Sequence, residues 1–166
     1  TEKNMKSKRE IISDKIMPLP ELLRECAGWR VKSKRIVFTN GCFDILHPGH
    51  VQLLLEAAEF GTKLIVGLNA DASVRKLKGA GRPVNSWQAR ALLLAAQAYV
   101  DAVAIFEEET PIELIQALRP DVLVKGGDYK AETVVGAELV KSYGGDIKIV
   151  PLVDGFSTTR IIEGLK

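Results

Sequence analysis

Short runs of branched apolar residues alternate with longer segments that carry apolar residues at helical spacing. The short runs predict strands over residues 35–39, 63–67, 101–105, 121–124 and 146–150. The longer segments predict helices over residues 20–27, 48–60, 70–76, 85–98, 111–119, 131–142 and 157–164. Strands that alternate with helices pair in parallel and are buried on both faces. The pattern therefore predicts an α/β fold, a Rossmann-like, doubly wound five-stranded parallel sheet with helices on both faces.

Several helix boundaries are marked by single residues. Gly28 is expected to end the first helix. Asn85, with Gln88 three residues later, forms a predicted capping box. Thr110 is expected to cap the next helix, with Pro111 at its first position. Ser157 is expected to cap the last helix.

The first part of the chain differs from the rest. Residues 1–33 are predicted to form an N-terminal arm and a short helix, and residues 34–166 the functional domain. The arm is polar and basic with little periodicity up to residue 17. It either stays loose or docks on the domain through Ile11, Ile12 and Ile16.

The composition of the 166 residues is that of an ordinary globular domain, with 46% hydrophobic and 27% charged residues. A net charge of +2 is too small to require nucleic acid or a membrane surface as a partner. The only cysteines, Cys26 and Cys42, form no disulfide framework, which fits a reducing cytoplasm. The polar N-terminus does not resemble a signal peptide, and no apolar run is long enough for a membrane span.

The most informative motif follows the first predicted strand, in the run FTNGCFDILHPGH. His47 and His50 lie three residues apart where a helix begins, with Pro48 at its first position and Gly49 leaving room beside them. Side chains three residues apart share a helix face, so both imidazoles can point at one spot. We expect the N–H groups of the helix start to be free at that spot, and together these donors predict a phosphate site.

Other interpretations of this stretch are weaker. A metal site would need further Cys or His residues at ligand spacing, and none follows. Cys42 is better explained as a small buried thiol than as a nucleophile. Asp44 either reaches a magnesium ion through water or caps the turn, and the turn is favoured.

Further polar clusters follow the strands, at the edge where parallel sheets bind ligands. Residues 39–43 can form an anion-binding nest of N–H groups, to which Thr39 adds a hydroxyl. A basic segment with two glycines follows the second strand, and it either stays in solvent or closes over a polyphosphate. Its cations are Arg75, Lys76, Lys78 and Arg82, and Arg90 follows in the next helix.

Two more clusters lie nearer the C-terminus. The turn of residues 125–129 has two glycines that let a flat base or a ribose approach, although such a turn is often only a turn. Residues 157–160 open the last helix with three hydroxyls and Arg160. A cation in a first helical turn opposes the helix dipole by ~0.3–1 kcal/mol, and an anionic ligand would reverse that penalty.

Motifs of several other enzyme classes are absent. No Gly-x-Gly-x-x-Gly follows the first strand and no Walker A run occurs, which disfavours a nicotinamide reductase and a P-loop ATPase. No Ser/His/Asp set has nucleophile-elbow spacing.

The segments TNGCFDILHPGH, LNADASVRKLKG, GRPVN, FEEETP, VKGGDYK and FSTTRII resemble the cytidylyltransferase-like superfamily of nucleotidyltransferases. Within it they are similar to the adenylyltransferase domains of ADP-heptose synthases. The resemblance implies transfer of AMP from ATP to a sugar 1-phosphate, D-glycero-β-D-manno-heptose 1-phosphate, giving ADP-heptose for lipopolysaccharide synthesis and pyrophosphate. It also implies ATP and Mg²⁺ in the site, a separate sugar kinase in the pathway and a homodimer.

The resemblance also assigns roles to residues. It implies that His47, His50 and Lys78 are catalytic. It implies that the following residues bind substrate, base, ribose or phosphates: Thr39, Asn40, Gly41, Cys42, Phe43, Gly49, Asn69, Lys76, Arg90, Lys125, Gly126, Gly127, Asp128, Tyr129, Ser157, Thr158, Thr159 and Arg160.

Two alternative functions remain open. One is a cytidylyltransferase that acts on a polyol or amino-alcohol phosphate. The small glycerol-phosphate enzymes of that kind carry an arginine five residues before the Ser of the Ser-Thr-Thr run, where this chain has Leu152. The other is a non-catalytic nucleotide sensor on the same fold.

Overall fold

Five parallel strands form one sheet in the computed structural model, which describes residues 5–164. They are β1 (Ile36–Gly41), β2 (Lys63–Asn69), β3 (Ala102–Phe106), β4 (Val122–Gly126) and β5 (Asp146–Val150). The strand order is β3-β2-β1-β4-β5, so the direction of winding reverses between β1 and β4. The predicted fold class is confirmed. The first four residues of the predicted arm and the last two of the predicted domain lie outside the described residues.

Helices cover both faces of the sheet. They are α1 (Lys8–Ser13), α2 (Leu19–Val31), α3 (Pro48–Glu59), α4 (Asp71–Lys78), α5 (Trp87–Ala95), α6 (Ile112–Leu118), α7 (Ala137–Ser142) and α8 (Thr158–Glu163). Helices α2, α6 and α7 pack on one face, and α3 and α5 on the other. Among these helices none combines the length and the apolar content needed to cross a membrane.

Strand β1 shows why the sheet is buried on both sides. Ile36 and Phe38 belong to the core under α2 and α6, whereas Val37 belongs to the core under α3 and α5. All three are fully buried. A continuous apolar run is the pattern expected of a central parallel strand.

The N-terminal arm docks on the sheet. The N–H of Met17 donates to the carbonyl of Val103 at 3.1 Å, and the N–H of Val103 donates to the carbonyl of Lys15 at 2.7 Å. Ile12 and Ile16 pack against the core, whereas Ile11 is 50% exposed. Docking through Ile12 and Ile16 is therefore confirmed, and docking through Ile11 is wrong. The arm pairs with β3, which would otherwise be an open sheet edge.

Two helix predictions were wrong because glycine was misjudged. Helix α2 runs past Gly28 to Val31, since Trp29 continues the buried face of Leu22 and Cys26, and packing outweighs the ~1 kcal/mol cost of a helical glycine. The predicted helix over 131–142 is interrupted. It consists of a 3₁₀ turn, Ala131–Thr133, followed by α7, and Gly136 with φ 89° turns the chain between them.

Two predicted caps were also wrong. The cap of α5 is Ser86, whose hydroxyl accepts from the N–H of Ala89, and Asn85 is engaged by Asp44 instead. That helix ends at Ala95, three residues earlier than predicted. Helix α6 is preceded by Pro111 without a side-chain cap, so Thr110 is not the cap. Ser157 caps α8 as predicted, accepting from the N–H of Arg160 at 3.3 Å.

Candidate active site

A cavity of about 670 Å³ lies beyond the carboxyl ends of the strands, where the winding direction reverses. This volume is within the range of small-molecule sites. Residues that follow β1, β2, β4 and β5 line it together with the start of α3. The cavity is therefore at the position where open α/β sheets bind ligands.

His47 caps helix α3 with its own side chain. Its backbone is extended, with φ −140° and ψ 168°, and its Nδ1 accepts from the N–H of Gly49 at 3.1 Å and of His50 at 3.4 Å. The expectation of free N–H groups at this helix start was wrong, because the imidazole and the carbonyl of His47 occupy them. Since Nδ1 is an acceptor, the neutral ring carries its proton on Nε2.

The two imidazoles lie together, as the spacing predicts. Their ring centroids are 3.7 Å apart at an interplanar angle of 21°. Phe43 meets His50 edge-on at a centroid distance of 5.2 Å, and Phe156 is 6.3 Å from His47. Both histidines line the cavity. Each neutral ring carries one N–H, and that of His47 is on Nε2, beside the helix start.

Burial keeps both rings neutral near pH 7. Desolvation lowers the pKa of His47. Desolvation, together with the neighbouring His47, lowers the pKa of His50 to about 4, and the Ile45 carbonyl opposes part of this shift. The buried Nδ1 of His50 has no hydrogen-bond partner among the described residues. A neutral imidazole still carries one N–H, which can donate a hydrogen bond to a phosphate oxygen.

The turn after β1 has the features of an anion nest. Phe43 has φ 44°, and no acceptor among the described residues takes the N–H of Cys42 or Phe43. The carbonyl of Cys42 accepts from the fully buried Arg90 at 2.6 Å, so this carbonyl turns away from the cavity. Desolvation raises the pKa of the Cys42 thiol despite four nearby cations. The protonated thiol agrees with a structural role for Cys42.

The basic segment after β2 contributes only part of its charge to the cavity. Lys78 and Arg82 line it, whereas Arg75 and Lys76 do not. Arg82 donates from Nε to the buried carboxylate of Asp44 at 2.5 Å. Desolvation acts to raise the pKa of Asp44, but the N–H groups of Asn85 and Val84 and the Arg82 side chain outweigh it and lower the pKa.

Lys125, at the end of β4, adds a second cation on the other side of β1. The side chain lines the cavity near Lys78 and Cys42, and no carboxylate of residues 5–164 pairs with it. Desolvation lowers its pKa. A Cβ on Gly126 would lie 3.0 Å from Leu53 of α3, so this glycine lets the strand end approach the helix. A half-buried ammonium without a carboxylate is suited to an anionic ligand.

The model of the cytidylyltransferase-like family matches residues 38–164, which include the whole cavity wall. The chain belongs to the cytidylyltransferase-like family. This membership confirms the predicted family and the prediction that the chain is a nucleotidyltransferase.

Named relatives and solved structures agree with this family. "Bifunctional protein HldE" of Koribacter versatilis (strain Ellin345) is 60% identical over 149 residues, which are 90% of this chain and 31% of that protein. HldE of Gluconobacter oxydans (strain 621H) is 50% identical over 151 residues, 91% of this chain and 32% of the relative. The chain thus spans about a third of the length of these relatives.

Among solved structures, the lipopolysaccharide core biosynthesis protein of Thermoplasma volcanium GSS1 superposes with a TM-score of 0.58 at 27% identity. The match covers 72% of this chain and 97% of that protein. A pantoate-beta-alanine ligase from Francisella tularensis has a TM-score of 0.57 at 16% identity, covering 90% of this chain and 76% of the ligase, and shows the same fold.

The cavity of this family member brings most of the predicted site residues together. Its wall includes 14 of them: Asn40, Gly41, Cys42, Phe43, His47, Gly49, His50, Asn69, Lys78, Lys125, Tyr129, Ser157, Thr158 and Thr159. Seven others do not line it: Thr39, Lys76, Arg90, Gly126, Gly127, Asp128 and Arg160. Thr39 is fully buried, and its hydroxyl has no partner among residues 5–164. Arg90 is buried and donates to the carbonyl of Cys42 in the turn after β1.

Sequence reasoning missed part of the wall. Leu53 and Leu77 line it from helices, and Glu109 and Val135 line it from loops. Phe156 lies near His47 and immediately precedes the hydroxyl run that was singled out, so its position was the available signal. Leu77 and Glu109 lie within the quoted segments LNADASVRKLKG and FEEETP, but nothing in those segments singled out an apolar or an acidic residue. Leu53 and Val135 lie in no quoted segment and reach the cavity only through the tertiary fold.

Proposed function

We propose that this domain is an adenylyltransferase that transfers AMP from ATP to a sugar 1-phosphate and releases pyrophosphate. The proposed acceptor is D-glycero-β-D-manno-heptose 1-phosphate, and the product is ADP-heptose for lipopolysaccharide core synthesis. The observation that carries this proposal is the 50–60% identity to HldE proteins over about nine-tenths of the chain. The likeness to a lipopolysaccharide core biosynthesis protein supports the same pathway.

The chemistry is a displacement at the α-phosphorus of ATP. A phosphate oxygen of the sugar 1-phosphate forms a bond to that phosphorus. The bond from the phosphorus to the oxygen that bridges it to the β-phosphate breaks, and pyrophosphate leaves with the electron pair. The attacking oxygen is already anionic near pH 7, so the site needs no general base. What it must supply is alignment and compensation of negative charge.

The two histidines provide donors for the reacting phosphate. The Nε2–H of His47 is fixed by the helix cap on its Nδ1, and His50 stacks on it at 3.7 Å. The capping N–H groups polarise His47, so the partial positive charge of the helix start reaches the cavity through the ring. Donors that are fixed before the reaction stabilise the charge that develops on the α-phosphate oxygens.

Lys78 and Lys125 compensate the charge of two polyanions. Both side chains line the same cavity, and the charge of Lys78 contributes to lowering the pKa of Lys125, so each acts on the anions that meet in this cavity. We propose that Lys125 binds the acceptor phosphate, and that Lys78 and the hydroxyls of residues 157–159 bind the phosphates of ATP. Neutralisation by fixed cations lets two anionic substrates approach each other.

Mg²⁺ enters this proposal as part of the MgATP substrate. Within residues 5–164 no group of three His, Cys, Asp or Glu side chains could hold a metal ion. Both carboxylate oxygens of Asp44 are occupied by N–H donors. The site therefore fits a magnesium ion held mainly by nucleotide phosphates, and the ion would supply further charge neutralisation.

The setting of the reaction is also a proposal. A sugar kinase reaction has to supply the sugar 1-phosphate. We propose a cytoplasmic homodimer, in keeping with the two unpaired cysteines, Cys26 and Cys42.

A substrate panel tests the function. The purified protein is incubated with MgATP or MgCTP and with heptose 1-phosphate, other sugar 1-phosphates or glycerol 3-phosphate. Release of pyrophosphate and the mass of the nucleotide product are measured. ADP-heptose from ATP is expected. Faster reaction with CTP and a polyol phosphate would favour a cytidylyltransferase, and ATP binding without pyrophosphate release would favour a nucleotide sensor.

A further inference from the structure

Asp44 carries a carboxylate that the proposed reaction does not use, although it lies in the loop between β1 and His47. Its residue surface is 1% exposed. Oδ2 accepts from Nε of Arg82 at 2.5 Å, and Oδ1 accepts from the N–H of Val84 at 2.8 Å and of Asn85 at 3.0 Å. A buried carboxylate with three donors from one short segment is an anchor for that segment.

The segment that Asp44 holds is the loop of residues 79–85, between α4 and α5. It has little else to fix it. Gly79 has φ 96°, and both Gly79 and Gly81 have open space around the position of a Cβ. Val84 is 56% exposed, so apolar packing does not hold the loop. Within the described residues, the hydrogen bonds that this loop makes to the segment after β1 all involve Asp44.

A second set of bonds ties the same two segments from the other side. The side-chain amide of Asn85 donates to the carbonyl of Asp44 at 3.0 Å. Arg90 donates to the carbonyl of Asn85 at 3.1 Å and to that of Cys42 at 2.6 Å. The turn after β1 and the loop of residues 79–85 are therefore one hydrogen-bonded unit.

This unit determines which cation faces the cavity. Lys78 is the last residue of α4, directly before the anchored loop, and it lines the cavity. Arg82 also lines the cavity, but its charge is compensated by Asp44. Within residues 5–164 no carboxylate pairs with Lys78. Of the two cations at this part of the cavity wall, Arg82 is paired with Asp44, and Lys78 has no carboxylate partner among the described residues.

We propose that Asp44 is a positioning residue for nucleotidyl transfer: through Arg82, Val84 and Asn85 it fixes the 79–85 loop against the phosphate-binding turn and so sets the place of Lys78. This inference rests on the proposed function. Asp44 contacts no substrate in this scheme. Its effect on the reaction is transmitted through Lys78, which distinguishes it from a residue that only stabilises the fold.

A double-mutant cycle tests the proposal. Asp44→Asn, Lys78→Met and the double variant are compared with the unchanged protein in kcat/KM for ATP, well below their melting temperatures. Asp44→Asn keeps the size of the side chain but removes the negative charge that pairs with the Arg82 guanidinium. A loss of about 10²-fold is expected for it, the scale of a ~1 Å misplacement of a reacting group. In the Lys78→Met background the same change should cost no more than about threefold, because the group it positions is already absent.

Asp101→Asn is the matched control. Asp101 also binds a cation and a backbone N–H, those of Lys63 at 2.6 Å and Leu64 at 2.9 Å, but at the opposite end of the strands. It should lower the melting temperature without changing kcat/KM by more than about twofold. If Asp44→Asn fails to fold, Arg82→Met and Arg82→Lys replace it, and Arg82→Lys is expected to retain most of the activity that Arg82→Met loses.

The proposal is overturned if Asp44→Asn loses equal factors with and without Lys78, or if its kcat/KM stays within about twofold of the unchanged protein. ATP affinity, measured by calorimetry on the same four proteins, needs no acceptor and should show the same non-additivity. If the unchanged protein binds ATP but makes no ADP-heptose, the proposed function fails, and the calorimetric cycle still decides the role of Asp44: additive effects there overturn it, and coupled effects support it.

Discussion

At the scale of single residues, the site depends on side chains whose ionisation is set by burial. His50 is neutral near pH 7 because its ring is desolvated and stacked on His47. Lys125 is a cation without a carboxylate partner among the described residues, and desolvation by burial lowers its pKa. The two features are complementary: the neutral rings donate to a phosphate, and the lysine attracts one.

The first prediction concerns His50 as a transition-state donor. His50→Ala should keep the fold but lower kcat by ~10²–10³, the scale of losing one fixed donor to a developing charge. Circular dichroism and pyrophosphate release measure the two effects. Gln52→Ala, at an exposed position on the same helix, is the control and should leave kcat unchanged. A folded His50→Ala protein with full turnover would remove His50 from the mechanism.

The second prediction concerns the pH dependence of stability. His50 titrates near 6.5 in the unfolded chain and at about 4 in the folded protein, so the unfolded state binds more protons between these values. The free energy of unfolding should therefore fall as the pH drops from 6.5 to 4. In His50→Gln the free energy of unfolding should fall by about 2 kcal/mol less over this pH range, because the titrating group is gone. This figure is reduced for the partial exposure of the ring. Urea denaturation at several pH values measures it, and parallel curves for the two proteins would contradict the account.

The third prediction concerns Lys125. Lys125→Met should raise the KM for the sugar 1-phosphate ~10–100-fold, because a hydrogen bond to a charged group contributes ~1.5–3 kcal/mol. The affinity for ATP should change little. Lys130→Met, an exposed lysine that does not line the cavity, is the control. Weaker ATP binding with an unchanged KM for the acceptor would place Lys125 at the nucleotide instead.

At the scale of elements, helix α3 joins stability to function through one side chain. His47 is the cap of the helix and a donor to the cavity at the same time. The N–H groups at the helix start donate to Nδ1 of His47 and are not free to bind an anion. Because they polarise the ring, the Nε2–H of His47 becomes a stronger donor to the cavity. The spacing of the two histidines predicted their stacking, but it could not predict this cap, which depends on the extended backbone of His47.

The fourth prediction separates the two roles of His47. His47→Ala should lower the free energy of unfolding by ~1 kcal/mol, the usual cost of losing an N-cap. His47→Asn should restore most of this stability, because asparagine is a good cap. Both variants should have equally low kcat in the pyrophosphate assay. Recovery of turnover in His47→Asn would mean that the cap, and not the imidazole, supports the reaction.

At the scale of the whole molecule, the strand pattern was sufficient to predict the fold. Short apolar runs that alternate with helices are typical of parallel strands covered on both faces, and the site is then expected beyond their carboxyl ends. The histidines and Lys78 were found through motifs in the segments that come after β1 and β2, and Lys125 through the glycine-containing turn at the end of β4. Errors arose where tertiary contacts override local signals, as when Trp29 carries α2 past Gly28 and Asp44 takes Asn85 away from the helix cap.

The central claim is that the acceptor phosphate attacks the α-phosphorus of ATP directly, between fixed donors and cations. The stereochemical course at that phosphorus tests it, using ATP with a sulfur-substituted, chiral α-phosphate, heptose 1-phosphate and ³¹P NMR of the product. A single displacement predicts an ADP-sugar with inverted configuration. Retention of configuration would require a covalent adenylyl intermediate on the protein and would contradict this account.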